Sequence, residues 1–230
     1  AWAVVVLVFL LLQWQDRELF YGSEMFLPYL FLLGALLCVC MNRGGRLAVI
    51  ICMLLLLLLH QKNPLPMGGG DALLYNIGCI LVISPGAFFS TMPLWPQRLL
   101  LWQVIVLYES SLWTKLLGET WLDGTAVGIA LQHPHFARFD LSRVFAEGIS
   151  PVLSYTTLSW QFLWLLLLIP GWKMHKSLLQ FLLVTGAIFH LGIAILFDVG
   201  SFSFAMLVAY VGLLPEGKLF IRHNPAPSPS

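Results

Sequence analysis

Long apolar runs, broken at intervals by glycine, proline and charge, set the pattern of the chain. They cover about 1 to 14, 25 to 41, 47 to 60, 72 to 91, 99 to 116, 150 to 169, 177 to 197 and 202 to 214. A hydrocarbon layer of about 30 Å needs about 20 residues of helix at 1.5 Å each, so runs of this kind predict membrane-crossing helices. A transmembrane barrel would alternate apolar and polar residues, which continuous runs such as Leu54 to Leu59 do not. The fold class this predicts is all-α, a polytopic transmembrane bundle of about eight helices. The first helix is expected to be truncated, because Ala1 to Leu12 is a short run without an initiator Met or a basic leader.

The breaks carry ordinary stop signals. They are Asn42 with Gly44 and Gly45, then Asn63-Pro64-Leu65-Pro66, then Pro93 and Pro96, then Pro170-Gly171. Only the connection from about Leu117 to Ile149 is long. Residues 1–215 read as the transmembrane domain and 216–230 as a short tail, whose proline-rich end from Asn224 cannot build a core and is expected to be disordered.

Composition narrows the picture further. Of the 230 residues 59% are hydrophobic and 10% charged, with a mean hydropathy of +0.87, against a charged share of about 25% in soluble domains. About eight spans consume about 160 residues and leave no room for a separate soluble domain. A net charge of +1 gives no electrostatic reason to expect nucleic acid. Cys38, Cys40, Cys52 and Cys79 all lie in apolar runs, so neither a disulfide framework nor a zinc site is expected.

Charge placement gives an orientation, since basic residues collect on the cytoplasmic side. One face holds Arg43, Arg46, Arg98, Lys173, Lys176, Lys218 and Arg222. The other holds Arg17, Lys62, Arg138 and Arg143, with Lys115 at a helix end, and most of the acids, among them Asp71, Glu119, Asp123 and Asp198. The first face, and with it the C-terminus, is therefore expected to be cytoplasmic.

Ionisable groups inside apolar runs are costly and point to function. Glu109, in the middle of the fifth run beside Tyr108, needs either protonation or a basic partner, and a structural interhelical hydrogen bond is the simpler reading. Lys115 stands near the outer end of the same run, where a lysine either snorkels to the interface or, facing the bundle, becomes a neutral amine able to act as a base. His190, about two turns before Asp198, cannot touch it on one helix and is either a packing histidine or a catalytic one. His133-Pro134-His135 lacks a carboxylate or cysteine at metal-ligand spacing, and no metal is expected. Gly68-Gly69-Gly70-Asp71 has the glycine of a phosphate loop without its Lys-Ser/Thr, and is read as a flexible entry to a helix capped by Asp71. The segment from Tyr108 through Lys115 to Trp121 and Gly124 passes from a helix end into an acidic loop, as an amphipathic re-entry would.

Three spaced motifs together resemble a known family. They are Gly69-Gly70-Asp71, then Lys115-Leu116-Leu117-Gly118-Glu119-Thr120-Trp121-Leu122-Asp123-Gly124-Thr125-Ala126, then His190-Leu191-Gly192-Ile193-Ala194 followed by Gly200-Ser201-Phe202-Ser203. They resemble the HTTM domain family, the membrane domain shared with vitamin K-dependent gamma-glutamyl carboxylase, over roughly residues 15 to 215. The resemblance implies a lysine base that deprotonates reduced vitamin K, which dioxygen converts into a stronger base that takes a glutamate proton before carbon dioxide adds. Lys115 is similar in position to that lysine. In two respects the chain departs from the carboxylase: the interval from Lys115 to Trp121 is one residue longer, and Asp71 stands about where a histidine is found. No counterpart of its large lumenal region is expected.

Two readings follow from different classes. One is a quinol-dependent, carboxylase-like (lyase) or oxidoreductive membrane enzyme with Lys115 and His190 catalytic, and with Tyr108, Glu109, Trp121 and Asp71 around a reduced vitamin K or another quinol. Its partners would be the lipid bilayer, a quinone, and a peptide or small-molecule substrate. The other is a noncatalytic membrane scaffold or interaction component that keeps the fold. A transporter would call for paired Gly/Pro-broken helices in matching halves, which the chain does not have.

Overall fold

A computed structural model describes residues 26–41, 43, 45–62, 69–84, 94–134, 136–139, 148–169, 175–199 and 201–214. The apolar runs within these residues become helices. In chain order they are α1 (Phe26–Cys40), α2 (Gly45–Lys62), α3 (Gly69–Ile83), α4 (Leu94–Leu116), the short α5 (Glu119–Leu122) and α6 (Ala126–Gln132), α7 (Ile149–Phe162), α8 (His175–Leu196) and α9 (Phe202–Leu213). A 3-10 helix, Leu163–Leu168, continues α7 without a break. Among the described residues there is no strand, only an isolated bridge between Ala137 and Phe197. The run at 1–14 and the tail after 214 lie outside the described residues.

Helix boundaries differ from the sequence pattern where backbone chemistry overrides hydropathy. Pro96 was expected to mark a break, yet α4 begins at Leu94 and takes Pro96 into its first turn. A proline is tolerated there because the N–H it lacks would have no helical partner. Asp71 was expected to cap a helix. Instead α3 starts two residues earlier, at Gly69, and carries Asp71 inside its first turn. The long connection after Leu117 is not bare loop, since α5 and α6 occupy its first half and both pack on α7.

Among the described residues two helices are long and apolar enough to cross a membrane, Ile149–Leu168 and His175–Leu196. The apolar stretches within α1, α2, α3 and α9 are shorter, and α4, although 23 residues long, carries Arg98, Glu109 and Lys115. The hydrophobic core centres on α9, which packs on α3, α8 and α4. Ser203, Ala205, Met206, Val208, Ala209, Tyr210 and Leu213 bury most of its circumference. On α8 the buried positions form a narrow stripe, Leu179, Leu182, Leu183, Gly186 and His190, while Val184, Ile188 and Ile195 point outward. Apolar side chains facing outward suit lipid, which solvates them as well as a core would. Along α7 and its continuation the buried positions are Ser150, Ser154, Leu158, Gln161, Trp164 and Leu167. Their spacing shortens from four to three where the helix tightens, since in a 3-10 helix residues i and i+3 eclipse. The tightening carries Gln161, Trp164 and Leu167 along one line.

Candidate functional site

The site grows from the buried stripe of α4. Gln97, Leu100, Leu101, Val104, Ile105, Tyr108 and Leu112 are its interior positions. Tyr108, Ser111 and Lys115, at i, i+3 and i+7, therefore fall on one side of the helix. The Lys115 Nζ donates to Ser111 Oγ one turn below. Ser111 Oγ also receives a long hydrogen bond, 3.4 Å, from Gln161 Nε2 on α7. The Trp121 ring lies with its centroid 5.0 Å from the same Nζ, within cation–π range.

Trp121 reaches that position through the chain reversal after α4. Beyond Gly118, α5 carries Trp121 back toward Lys115, and Gly124 (φ 80°) turns the chain again. Gly124 takes a left-handed conformation open to glycine, and a Cβ there would come within 2.8 Å of Pro151. The Asp123 carboxylate accepts the Thr125 hydroxyl at 2.6 Å and the Thr125 N–H at 2.9 Å. These two bonds hold the Asp123 carboxyl below its ordinary range. Two serines of α7 then fasten the reversal. Ser150 Oγ donates to the Gly124 carbonyl at 2.8 Å and accepts the Gly128 N–H at 2.9 Å. Ser154 Oγ repeats the arrangement more loosely, with the Gly124 carbonyl at 3.1 Å and the Val127 N–H at 3.3 Å.

A second polar cluster lies deeper in the bundle. The Tyr108 hydroxyl bonds His190 Nε2 at 2.7 Å and also bonds the Tyr210 hydroxyl, joining α4, α8 and α9. All three residues are at most 3% exposed. Gly186 makes room for the contact, because a Cβ there would meet the Tyr210 hydroxyl at 2.5 Å. Trp164 stacks on Tyr108 with centroids 4.9 Å apart, and Trp160 meets its edge at the same distance. The order of donors follows from counting protons. If Tyr210 donates to Tyr108 and Tyr108 to Nε2, every hydroxyl proton is used and the ring proton resides on Nδ1, which has no partner. The reverse order would strand the Tyr210 proton as well.

The six residues singled out by sequence are thus divided. Lys115 and Trp121 meet, as do Tyr108 and His190. Lys115 and His190 fall in different hydrogen-bonded clusters, with seven residues of helix, about 10 Å of rise, between Lys115 and Tyr108. Glu109 belongs to neither group: its two carboxylate oxygens are covered and lack a hydrogen-bond partner. Asp71 accepts a hydrogen bond from Ser201 Oγ at 2.8 Å, tying the start of α3 to the turn before α9. Asp198 pairs with Arg138 at 3.4 Å on the surface. Among the described residues no three His, Cys, Asp or Glu side chains gather as a metal site, and His135 lies outside them.

Sequence reasoning missed Ser111, Gln161, Ser150, Trp160, Trp164 and Tyr210. Ser111 was within its reach, as a hydroxyl four residues before a helix-end lysine. Tyr210 was not, since nothing local links it to Tyr108, 102 residues away.

A family model for the HTTM domain matches residues 82–215. No curated protein and no solved structure matches the chain.

Proposed function

Because the chain belongs to the HTTM domain family, the domain type of vitamin K-dependent carboxylase-like proteins, we propose that this integral membrane protein is an enzyme in which Lys115 acts as a base toward a reduced quinone. The observation that carries the reading is the setting of the Lys115 amine. It lies half-buried between a serine hydroxyl and an indole face, with no carboxylate beside it among the described residues. An interfacial anchor would extend its ammonium into headgroups. Lys115 instead folds back along its own helix to Ser111.

The residues fit a hydroquinone on two counts. Gln161 Oε1 is a buried acceptor without a partner, on the same amide whose Nε2 reaches Ser111, and a quinol hydroxyl is a donor seeking an acceptor. Trp121 offers an aromatic face next to the amine. A bound quinol would supply two electrons and two acidic hydroxyl protons. Lys115 Nζ accepts a proton when neutral, Ser111 keeps the amine oriented, and Gln161 fixes a donor against the base. Ser150 and Ser154 keep Trp121 over the site by holding the reversal that carries it. The acceptor of the final chemistry, a peptide or a small molecule, lies outside this reading.

The same proposal places α1 to α4, α7 with its 3-10 extension, α8 and α9 across the bilayer. The 117–149 connection would lie outside or in a lumen and the C-terminus in the cytoplasm, following the basic asymmetry of the loops. Lys115→Arg tests the chemistry, since arginine keeps the charge but, with a pKa above about 12, cannot abstract a proton. In purified full chain, the variant should insert and fold yet lose oxygen-dependent consumption of a reduced naphthoquinone. Retained consumption would make Lys115 an anchor and favour the noncatalytic reading.

A further inference from the structure

The cluster of Tyr108, Tyr210 and His190 plays no part in the base chemistry at Lys115. We propose that it is a redox relay, in which Tyr108 gives up one electron and, at the same time, its hydroxyl proton. Removing an electron from a phenol makes its proton strongly acidic, so the step needs a base already within hydrogen-bond reach. His190 Nε2 is such a base at 2.7 Å.

The balance is simple. Tyr108 loses one electron and becomes a neutral tyrosyl radical; its O–H bond breaks; the proton moves along the existing hydrogen bond to Nε2 and leaves His190 an imidazolium. The electron passes to a strong one-electron oxidant of the oxygen-centred radical class, such as a peroxyl radical formed from a reduced quinone and dioxygen, which becomes its peroxide anion, and a one-electron reductant of the quinol class restores the tyrosine with the proton returned from His190. Two indole rings in contact with the phenol, Trp160 and Trp164, provide the aromatic path. Trp160 continues outward: its Nε1 donates to Thr185 at 2.8 Å, and its ring lies 5.3 Å from Phe189. Tyr210, donating to the oxygen of Tyr108, stabilises that oxygen once it has lost its own proton.

The naturally available oxidant rests on the quinone reading above, so the test supplies its own. Full-length protein in lipid nanodiscs is mixed with photo-oxidised ruthenium tris-bipyridine, and radicals are trapped by freezing and read by electron paramagnetic resonance. The relay predicts a tyrosyl signal whose hyperfine pattern collapses when ring-deuterated tyrosine is incorporated. Tyr108→Phe, checked for unchanged melting, should abolish it, whereas Tyr210→Phe, which removes the same hydroxyl–hydroxyl bond, should keep the signal but shift its spectrum. His190→Gln should lower the yield at least about tenfold and remove the slowing seen in deuterated solvent, because its amide accepts a hydrogen bond but is far too weak a base to hold the proton. Tyr155→Phe, at an exposed tyrosine whose hydroxyl donates to the Leu122 carbonyl, should change nothing. A signal that survives Tyr108→Phe, or a yield indifferent to His190→Gln, overturns the relay. Lys115→Arg separates the two proposals: it should leave the photo-generated radical intact whether or not quinol turnover is lost.

Discussion

Gly70 sits where α3 starts and the chain enters α9, and the approach of the two backbones makes Gly70→Ala a quantitative test of the fold. A Cβ at Gly70 would lie 2.4 Å from the Phe202 nitrogen, 2.5 Å from its Cα and 2.6 Å from Ser201 Oγ. Two of the three atoms are backbone, so no rotamer change relieves the contact. The helices must separate, at an overpacking cost of about 1–3 kcal/mol. Ser201 is also the donor to Asp71, and losing that buried bond adds about 1–3 kcal/mol. Alanine's better helix propensity returns at most about 1 kcal/mol. The net expectation is a loss of about 1–5 kcal/mol, roughly 2–20 °C in melting temperature for a chain of this size. Gly192→Ala is the control: it lies inside α8, where a Cβ meets nothing within 4 Å, and should stabilise by up to about 1 kcal/mol. Melting followed by tryptophan fluorescence in nanodiscs reads both. A Gly70→Ala protein that melts with the unmodified one would refute the close contact, and so the packing of α3 on α9.

Three further outcomes are expected. Ser150→Ala strands the Gly128 N–H and leaves the Gly124 carbonyl with the longer bond from Ser154 alone, and should cost about 1–3 kcal/mol, more than Ser154→Ala, whose bonds are longer; hydrogen exchange over 118–132 measures the loosening. The Asp123 carboxyl is held low by Thr125, so its contribution is present above the unfolded value of 3.8 and is lost as pH falls through the lower folded value. Thr125→Val removes the hydroxyl donor, and acid-induced loosening of the 118–126 turn, read by limited proteolysis, should then begin at a higher pH. For orientation, a cysteine at Thr120 should react with a membrane-impermeant maleimide in intact cells and one at Arg43 should not; the reverse pattern would invert the proposed topology.

The fold was more legible than the site. Apolar runs locate α1 to α4 and α7 to α9 because burial from water dominates the energetics of each, and an apolar run has few alternatives to helix. The ends were less legible, because they depend on backbone groups rather than hydropathy: Pro96 entered α4, and Gly69 and Gly70 joined α3. The small helices α5 and α6 were hidden in a polar-looking connection whose order comes from two serines of α7, distant in sequence. Within the site, Lys115, Trp121, Tyr108 and His190 announced themselves as polar or aromatic groups in apolar surroundings. Their grouping did not, since it is set by which helices pack on α9. Tyr210 reads in sequence as an ordinary aromatic of an apolar run, and only Gly186 on the facing helix lets its hydroxyl reach Tyr108. Glu109, the most conspicuous charge in the sequence, joins neither cluster.

The claim that Lys115 supplies the base is tested most directly by chemical rescue. Lys115→Ala removes the amine and, with the indole of Trp121 still in place, leaves space for a small one. Full-length Lys115→Ala protein in nanodiscs, given a reduced naphthoquinone and oxygen, should be inactive alone and should recover turnover with added primary amines. The recovered rate should rise with the basicity of the amine at a fixed concentration of its neutral form, as general-base catalysis requires. Recovery that is absent at every amine while the protein remains folded, or turnover that Lys115→Ala never loses, would contradict the account.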